Sequence, residues 1–301
     1  MKNKIIVLLA ICIVAFQKAN AAKIKVVTTL TDLKSITELI GGDKVEAFSI
    51  ATGYQNPHFV DPKPSYIIKL STADMFVTIG LDLETGWSPS LLASSRNTKI
   101  QKGNPGYVDA SEGVALQQVP SSINRAEGDI HIFGNPHYWL DPLNGKAIAK
   151  NIYDGLVRVS PANEKYFGAN LKSFNDKIDM KLKEWSAKMS PYKGAKIIAY
   201  HNEWCYFENR FGLKIVDFLE PKPGIPPTPS QLVKIIGEVK NNNIKVIITS
   251  PYFSTSSSDV VTKQTAAKAL VLATSVGAFD QVKNYFDLFD YDINKLIEIL
   301  K

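Results

Sequence analysis

The order of strand and helix patterns constrains the fold of this chain more than any other feature of its sequence. Short apolar runs typical of buried strands alternate with amphipathic helical patterns over residues 23–80, and the same alternation returns over residues 195–300. Strands that alternate with helices form parallel sheets, because a parallel connection needs a crossover that a helix supplies. The sequence therefore predicts an α/β protein with two lobes, each built on its own parallel sheet.

The predicted elements of the two halves are similar. In the first half, strands are predicted over residues 23–27, 45–50 and 74–80, and helices from Thr31 to the Gly41-Gly42 pair and over residues 64–70. In the second half, strands are predicted over residues 195–200, 214–218, 245–249 and 268–273. The helices of that half are predicted over residues 202–211, 230–241 with Ser230 as N-cap, 259–267 and 291–300. Nearly every predicted strand is thus followed by a helix.

A stretch without strand patterns, residues 147–189, separates the two halves. Pro161 suits the first position of a helix capped by Ser160, and one apolar stripe continues from there to about Met189. A helix of about 28 residues is about 40 Å long, which fits a rigid strut between lobes, although a plain surface helix is the alternative. We predict a first lobe over residues 22–145, a linker region with the long helix over 146–192, and a second lobe over 193–301.

Residues 1–21 have the pattern of a cleavable secretory signal peptide. Two early lysines precede an apolar run over residues 5–16, and residues 19–21 (Ala-Asn-Ala) form a small-x-small cleavage site. This apolar run is shorter than the roughly 20 residues that span a bilayer. Cys12 lies in a poor match to a lipoprotein signal, because the bulky Ile11 stands where a small residue is required. We therefore predict a periplasmic protein and expect no lipoprotein anchor.

Charge and cysteine content exclude two further classes of protein. The net charge of +6 falls to +3 when the three lysines of the signal segment are removed, and Lys and Arg form no cluster. We therefore expect no nucleic-acid partner. Cys205 is the one cysteine beyond the signal segment, so the exported chain forms no internal disulfide despite its oxidising compartment.

Three of the four histidines lie in well-separated motifs that suit one metal site. His58 and His137 each follow Asn-Pro and precede an Asp-Pro pair, and His201 directly follows a predicted strand. Neutral imidazole is the commonest side-chain metal ligand and suits Zn²⁺. Three imidazoles leave one position of a tetrahedral ion open, so a metal carrier and a zinc hydrolase with a bound water are both compatible with the set. The chain has no His-Glu-x-x-His string and no dedicated general base beside the histidines, which disfavours the hydrolase.

These motifs resemble those of the metal-specific solute-binding proteins of ABC transporters, the cluster that carries zinc and manganese. The strings at residues 56–65, 135–142 and 201–212 are similar to the three histidine motifs of that family, and the proline-rich segment 220–230 is similar as well. The resemblance implies two α/β lobes joined by one long rigid helix, with the metal in the cleft between the lobes. It also implies a monomeric carrier, not an enzyme, that delivers metal to a membrane permease and its ATPase. A surface adhesin of the same fold is an alternative.

The resemblance further implies a ligand set. His58, His137 and His201 stand at three of the family's ligand positions. Related proteins that handle manganese have a carboxylate at the third of these positions. An all-imidazole set favours zinc as the transported ion over manganese, because imidazole suits Zn²⁺ better than the harder Mn²⁺.

The fourth ligand position stays open at this stage. The family places an aspartate just after the last strand, and this chain has Thr274 there, whose hydroxyl is a poor zinc ligand. Water, Asp280 or another carboxylate are the alternatives. His131, six residues before His137, is a loop residue and the reserve candidate for this contact.

Several other polar residues lie close to these motifs in the sequence. Glu203 and Glu220 are candidates to accept an imidazole N–H, and Glu220 is the better of the two. Cys205 is expected to be a buried packing residue rather than a thiolate ligand. Asp61 and Asp141 are expected to fix the loops that follow the histidines.

Overall fold

The structure is a computed structural model that describes residues 22–121 and 131–301. The first half contains the helices α1 (Thr31–Gly41), α2 (Pro64–Ser71) and α3 (Ser88–Ser95). Its parallel sheet has the order β2-β1-β3-β4, with β1 Ile24–Thr28, β2 Val45–Ser49, β3 Met75–Thr78 and β4 Tyr107–Asp109. Every residue of β3 is buried, as expected for a parallel strand covered on both faces.

Two helices follow in the chain, α4 (Asn144–Val159) and α5 (Glu164–Met189). The second half has the helices α6 (Cys205–Phe211), α7 (Pro229–Asn241), α8 (Ser256–Thr262) and α9 (Tyr285–Leu300). Its parallel sheet has the order β6-β5-β7-β8, with β5 Lys196–Ala199, β6 Lys214–Phe218, β7 Val246–Thr249 and β8 Lys268–Val271. The prediction of two α/β lobes with parallel sheets is confirmed.

The long helix α5 contacts both halves of the molecule. It has 26 residues and packs against α1 and α4 on one side and α9 on the other. Trp185 of α5 is buried and its indole N–H donates to Asp290 at 2.8 Å. A helix of this length spans about 39 Å. We propose residues 22–145 and 193–301 as the two lobes that it joins.

Five predicted helix starts are wrong. The helix α8 begins at Ser256, three residues before its predicted start, and the other four starts differ for a local reason. Residues 161–163 form a 3₁₀ turn, so α5 begins three residues later than predicted. Thr228, not Ser230, caps α7 by accepting from the Gln231 N–H. Asn284 forms a capping box with Asp287, so α9 begins before the predicted start. A turn after His201 delays α6 to Cys205. The elements β4, α3 and α4 were not predicted, because β4 is only three residues long and neither helix has a strong start signal.

The two halves share one apolar core and are hydrogen-bonded to each other. The Trp139 indole N–H donates to the Thr274 carbonyl at 2.8 Å, and the Tyr285 hydroxyl donates to the Trp139 carbonyl at 2.7 Å. The Tyr206 hydroxyl donates to the Asn135 carbonyl, also at 2.8 Å. These bonds involve residues close to His137 in the chain, so they hold the segment around His137 against the second half. Within the described ranges, no helix has both the length and the apolar character to cross a bilayer.

Candidate metal centre

The three motif histidines meet in the cleft between the halves. His58 lies in the loop after β2, His137 directly precedes a 3₁₀ turn, and His201 follows β5. Each contributes a ring nitrogen, and these three nitrogens lie within 4.8 Å of one another. We call this group the imidazole triad. The carboxyl edge of an α/β sheet is where such folds place ligands, because loops from several strands converge there.

The repeated Asn-Pro-His string has a structural cause. The Asn56 side-chain oxygen accepts from the His58 backbone N–H at 3.0 Å, and Asn135 does the same for His137 at 3.0 Å. Each asparagine thus forms the same tight turn, which aims the following histidine into the cleft. Asn135 Oδ1 also lies 2.9 Å from His137 Nδ1. Because the amide oxygen can only accept, His137 Nδ1 carries the proton and Nε2 is left with a free lone pair.

The spacing of the triad fits a tetrahedral metal ion. His58 Nε2 and His137 Nε2 are 3.1 Å apart. Two nitrogens that are each ~2.0 Å from a tetrahedral zinc ion lie about 3.3 Å apart. The His201 ring is edge-on to both, with centroid distances of 5.5 Å to His58 and 5.6 Å to His137. Three rings therefore converge on one point from three directions.

His201 is oriented by a buried carboxylate. Its Nδ1 lies 2.5 Å from Glu220 Oε2, and both side chains are almost fully buried. The other Glu220 oxygen accepts from the Gly224 N–H at 3.0 Å, which fixes the carboxylate within the proline-rich segment. With the proton on Nδ1, His201 presents Nε2 to the cleft. A carboxylate in this place orients a metal-binding imidazole and makes it a stronger donor.

Electrostatics keep the triad ready to bind a cation. Burial holds the pKa of His58 and of His137 well below the ordinary value of 6.5, and the neighbouring imidazoles lower both further. Both rings are therefore neutral at pH 7. The neutral imidazole is the form that binds metal, since a protonated ring has no free lone pair.

The other sequence-predicted candidates are outside the triad. Asp280 is exposed. Thr274 is buried, and its hydroxyl makes no hydrogen bond of normal geometry among the described residues. Burial raises the pKa of the Cys205 thiol to about 12, so this cysteine stays protonated and uncharged. His131 is the nearest of the candidates, with its ring centroid 5.0 Å from that of His58. The rest of its loop, residues 122–130, lies outside the described residues.

One candidate beside the triad has different partners from those predicted. Glu203, a candidate to accept an imidazole N–H, is 0% exposed and accepts instead from the hydroxyls of Ser250 and Tyr252. The order of strands in the sheet could have indicated these contacts. Glu203 follows β5 and the two hydroxyls follow β7, and these strands are neighbours in the sheet. Polar residues just after adjacent parallel strands meet at one edge.

An ion pair joins the two halves next to His137. Arg210 of α6 donates to both oxygens of Asp141, at 2.7 and 2.8 Å, and Asp141 also accepts from the Leu143 N–H at 2.9 Å. Asp141 is 6% exposed, so its charge depends on this partner. It therefore fixes its loop without joining the triad.

We expect Arg210→Leu to lower the free energy of unfolding by about 2 kcal/mol, because it leaves a buried carboxylate without its partner. Urea denaturation of the metal-free protein measures this. Lys172→Leu is the matched control, because it removes an exposed pair with Asp176 and should cost less than about 0.5 kcal/mol. Equal losses in the two variants would contradict the role assigned to Arg210.

A two-lobed α/β protein with an imidazole triad in its cleft is a metal-binding protein of the solute-binding class. The sequence profile of the family described as "Zinc-uptake complex component A periplasmic" matches residues 26–299. The chain belongs to this family, which comprises substrate-binding proteins of metal ABC transporters. The resemblance seen in the histidine motifs is thereby confirmed.

Relatives of known name include carriers of different metals. The chain is 26% identical over 287 residues to the manganese ABC transporter substrate-binding lipoprotein PsaA of Streptococcus anginosus, covering 93% of this chain and 90% of that protein. It is 29% identical over 255 residues to the iron ABC transporter substrate-binding lipoprotein MtsA of Streptococcus pyogenes serotype M1, covering 83% and 77%. Its fold is similar to a crystal structure of ZnuA, with a TM-score of 0.79, 24% identity and coverage of 93% and 100%. These likenesses define a metal carrier without naming its metal.

The names of the relatives correct one prediction. PsaA and MtsA are both named lipoproteins, which contradicts the expectation that a lipoprotein anchor is absent. The bulk of Ile11 is therefore too weak a criterion to exclude such an anchor. Cys12 and the predicted signal peptide, residues 1–21, lie outside the described residues.

Proposed function

We propose that this protein captures Zn²⁺ outside the cytoplasm and delivers it to the permease and ATPase of an ABC importer. The observation that carries the proposal is the imidazole triad, in which His58, His137 and His201 bring three ring nitrogens within 4.8 Å. The lowered pKa values of His58 and His137 support it, because neutral rings bind metal without first losing a proton.

The donor set supports zinc rather than manganese or iron. The relatives PsaA and MtsA are named for manganese and for iron. In this chain, the group of ligand atoms within 4.8 Å consists of imidazoles and includes no carboxylate from the described residues. Imidazole suits Zn²⁺, whereas Mn²⁺ is better served by carboxylate oxygen. The family description, which refers to zinc uptake, agrees with this choice.

For the fourth position we propose His131. Its ring lies 5.0 Å from that of His58 and 6.3 Å from that of His137, measured between centroids. Glu220 is engaged with the far nitrogen of His201, and Asp280 is exposed. A change of side-chain rotamer in His131 would close the tetrahedron and cover the ion, and water would fill the position in its absence.

Delivery requires the protein to exist in two states with different affinity for the ion. The shared core and the long α5 helix limit the lobes to small movements, so we propose that the permease opens the cleft by displacing loops rather than by a wide hinge motion.

We further propose a monomeric protein in the periplasm, exported by the signal peptide. A zinc hydrolase is the alternative chemistry for a triad of this kind. Metal-dependent hydrolysis of simple esters that His201→Ala abolishes would favour that alternative.

The test of the proposed function is a comparison of metal affinities. Competition with a chromogenic chelator gives the dissociation constants for Zn²⁺ and Mn²⁺ of the purified protein. We expect binding of zinc to be at least about 100-fold tighter, following the order of affinities at nitrogen sites. Equal affinities, or tighter binding of manganese, would overturn the assignment to zinc.

The zinc affinity should also respond to pH in a defined direction. Protons compete with the ion for the imidazoles, and burial lowers the pKa of His58 and His137 below 6.5. At these two rings the competition therefore begins at a lower pH than it does for free histidine. We expect the dissociation constant to rise as the pH falls, with the contribution of these two rings coming below about pH 6.5. Titrations across this range measure it, and an affinity independent of pH down to about 4.5 would indicate carboxylate ligands instead.

A further inference from the structure

Lysines lie at the amino ends of all four strands in the second sheet. Lys196 and Lys214 are the first residues of β5 and β6, and they are partners in the register of these two strands. Lys245 directly precedes β7, and Lys268 is the first residue of β8. Because neighbouring strands lie about 4.8 Å apart, the four lysines cross the sheet within roughly 14 Å.

Two helices add lysines to the same edge of the sheet. A helix that connects parallel strands runs back against them, so its carboxyl end lies at the amino edge of the sheet. Lys240 lies in the last turn of α7, and Lys263 directly follows α8. Far apart in the sequence, these residues are brought to one face by the topology, and all are exposed. We call them the basal lysines: Lys196, Lys214, Lys240, Lys245, Lys263 and Lys268.

The positive charge of the basal lysines is not cancelled locally. Within the described ranges, none of the six forms an ion pair with an aspartate or glutamate. Lys196 donates to the neutral side chain of Asn242 at 2.6 Å, and Lys245 donates to backbone oxygens at the end of α9 at 3.0 and 3.1 Å. Glu208, in the last turn of α6, feels the charge of Lys214 but accepts from a backbone N–H of β6 instead. The face therefore keeps a positive potential.

The corresponding edge of the first sheet has a different charge pattern. Asp74, directly before β3, pairs with Lys99 at 3.3 Å and accepts from the Lys25 N–H at 3.1 Å. Asp43, close to the start of β2, pairs with Lys44 at 3.1 Å. Acidic residues thus offset lysines at that edge. The uncompensated charge is a feature of the second half and not a consequence of the fold.

The chemistry of this face fits an extended anionic surface. Its cations are lysines, which act as point charges and lack the planar fork by which arginine recognises a single phosphate or carboxylate. Lysine is also depleted from interfaces between proteins. Clusters of lysine are attracted to bilayers that contain anionic lipid. A substrate-binding protein of an ABC transporter works beside a membrane, so a bilayer is the extended surface that it meets.

We propose that the basal lysines bind the surface of an anionic lipid bilayer and so keep the protein close to the membrane of its permease. His201 follows β5 at the end opposite to Lys196, so the imidazole triad stays accessible while this face is bound. The inference goes beyond the proposed function, and lipid binding itself does not depend on the zinc site.

Vesicle sedimentation tests the proposal with the purified protein. We expect binding to vesicles of phosphatidylcholine with about one third phosphatidylglycerol, and none to vesicles of phosphatidylcholine alone. Raising the salt concentration from about 0.1 M to about 1 M should weaken binding about 10-fold or more, because the Debye length falls from about 10 Å to about 3 Å. Equal binding to both kinds of vesicle, no binding to the anionic vesicles, or binding that salt does not weaken would overturn the proposal.

A triple variant locates the interaction on this face. The amines of Lys214, Lys263 and Lys268 make no hydrogen bond within the described part of the chain, so replacing all three with glutamine should leave the melting temperature unchanged. We expect Lys214→Gln, Lys263→Gln and Lys268→Gln together to lower partitioning onto anionic vesicles about 10-fold or more. Zinc affinity should stay at the wild-type value.

The matched control removes the same charge from elsewhere. Lys23→Gln, Lys102→Gln and Lys165→Gln together replace exposed lysines of the first half and of the start of α5. This variant should lose less than about twofold in partitioning. Equal losses in the two triple variants would mean that net charge attracts the protein, which overturns a role for this face.

Two further outcomes are decisive. Binding of the wild-type protein to a DNA duplex but not to anionic vesicles would assign the face to nucleic acid and overturn the membrane proposal. Lipid binding that is intact in a protein that binds no zinc would support the proposal and contradict the proposed function alone. The two failures are therefore distinguishable.

Discussion

Zinc binding should weaken by about two to three orders of magnitude when any one histidine of the triad is replaced by alanine. Structural zinc sites with four ligands contribute about 10–16 kcal/mol, which is roughly 2.5–4 kcal/mol for each ligand. The loss should be similar for His58, His137 and His201, because their ring nitrogens converge on one point. Chelator competition with the purified variants measures it.

The loss of zinc affinity in His131→Ala should be compared with the losses in the three triad variants. If His131 fills the fourth position, water replaces it in the variant, and we expect a smaller loss of about 10-fold. A triad variant that binds zinc as tightly as the wild-type protein would remove that histidine from the site. An unchanged zinc affinity in His131→Ala would overturn the assignment of His131 to the fourth position.

Zinc should raise the melting temperature of the wild-type protein strongly. A ligand present at 1,000 times its dissociation constant stabilises the folded state by about 4.1 kcal/mol, provided that it does not bind the unfolded chain. For a protein of this size, each kcal/mol shifts the melting temperature by roughly 2–4 °C, so the expected rise is about 8–16 °C. Differential scanning fluorimetry with and without zinc measures the shift.

The same measurement on His201→Ala provides the control. His201 lies at the end of β5 and joins the triad to Glu220 of the second half. Without it, the same zinc concentration is only about 1–10 times the dissociation constant, which stabilises the folded state by about 0.4–1.4 kcal/mol. The melting temperature should then rise by only roughly 1–6 °C. A shift of equal size in both proteins would mean that zinc stabilises the fold from somewhere else.

The fold was predictable because its signals are local and repeated. The apolar runs that become β3 and β7 are continuous in the sequence, and Gly212 ends α6 with the positive φ of 73° that favours glycine. Helix starts were less accurate where a cap lies outside the apolar pattern. The capping box of Asn284 and Asp287 lies before the apolar stripe that suggested a start at Tyr291.

The triad was predictable for a different reason. Each histidine lies in a short motif of residues that are close in the sequence and that shape the loop around it. Asn56 and Asn135, for example, form the turns before His58 and His137. The hydrogen bonds of Glu203 could not be predicted, because its partners Ser250 and Tyr252 are 47 and 49 residues away and meet it only when β5 and β7 pair. A carboxylate in a loop has no local signal that distinguishes a buried residue from an exposed one.

The most direct test of the zinc site is the metal content and coordination of the purified protein after equilibrium dialysis against micromolar zinc. We expect one zinc ion per chain, with a first shell of nitrogen scatterers at about 2.0–2.1 Å in X-ray absorption spectra. No bound zinc under these conditions, or a first shell composed mainly of oxygen, would contradict the imidazole triad as the cargo site.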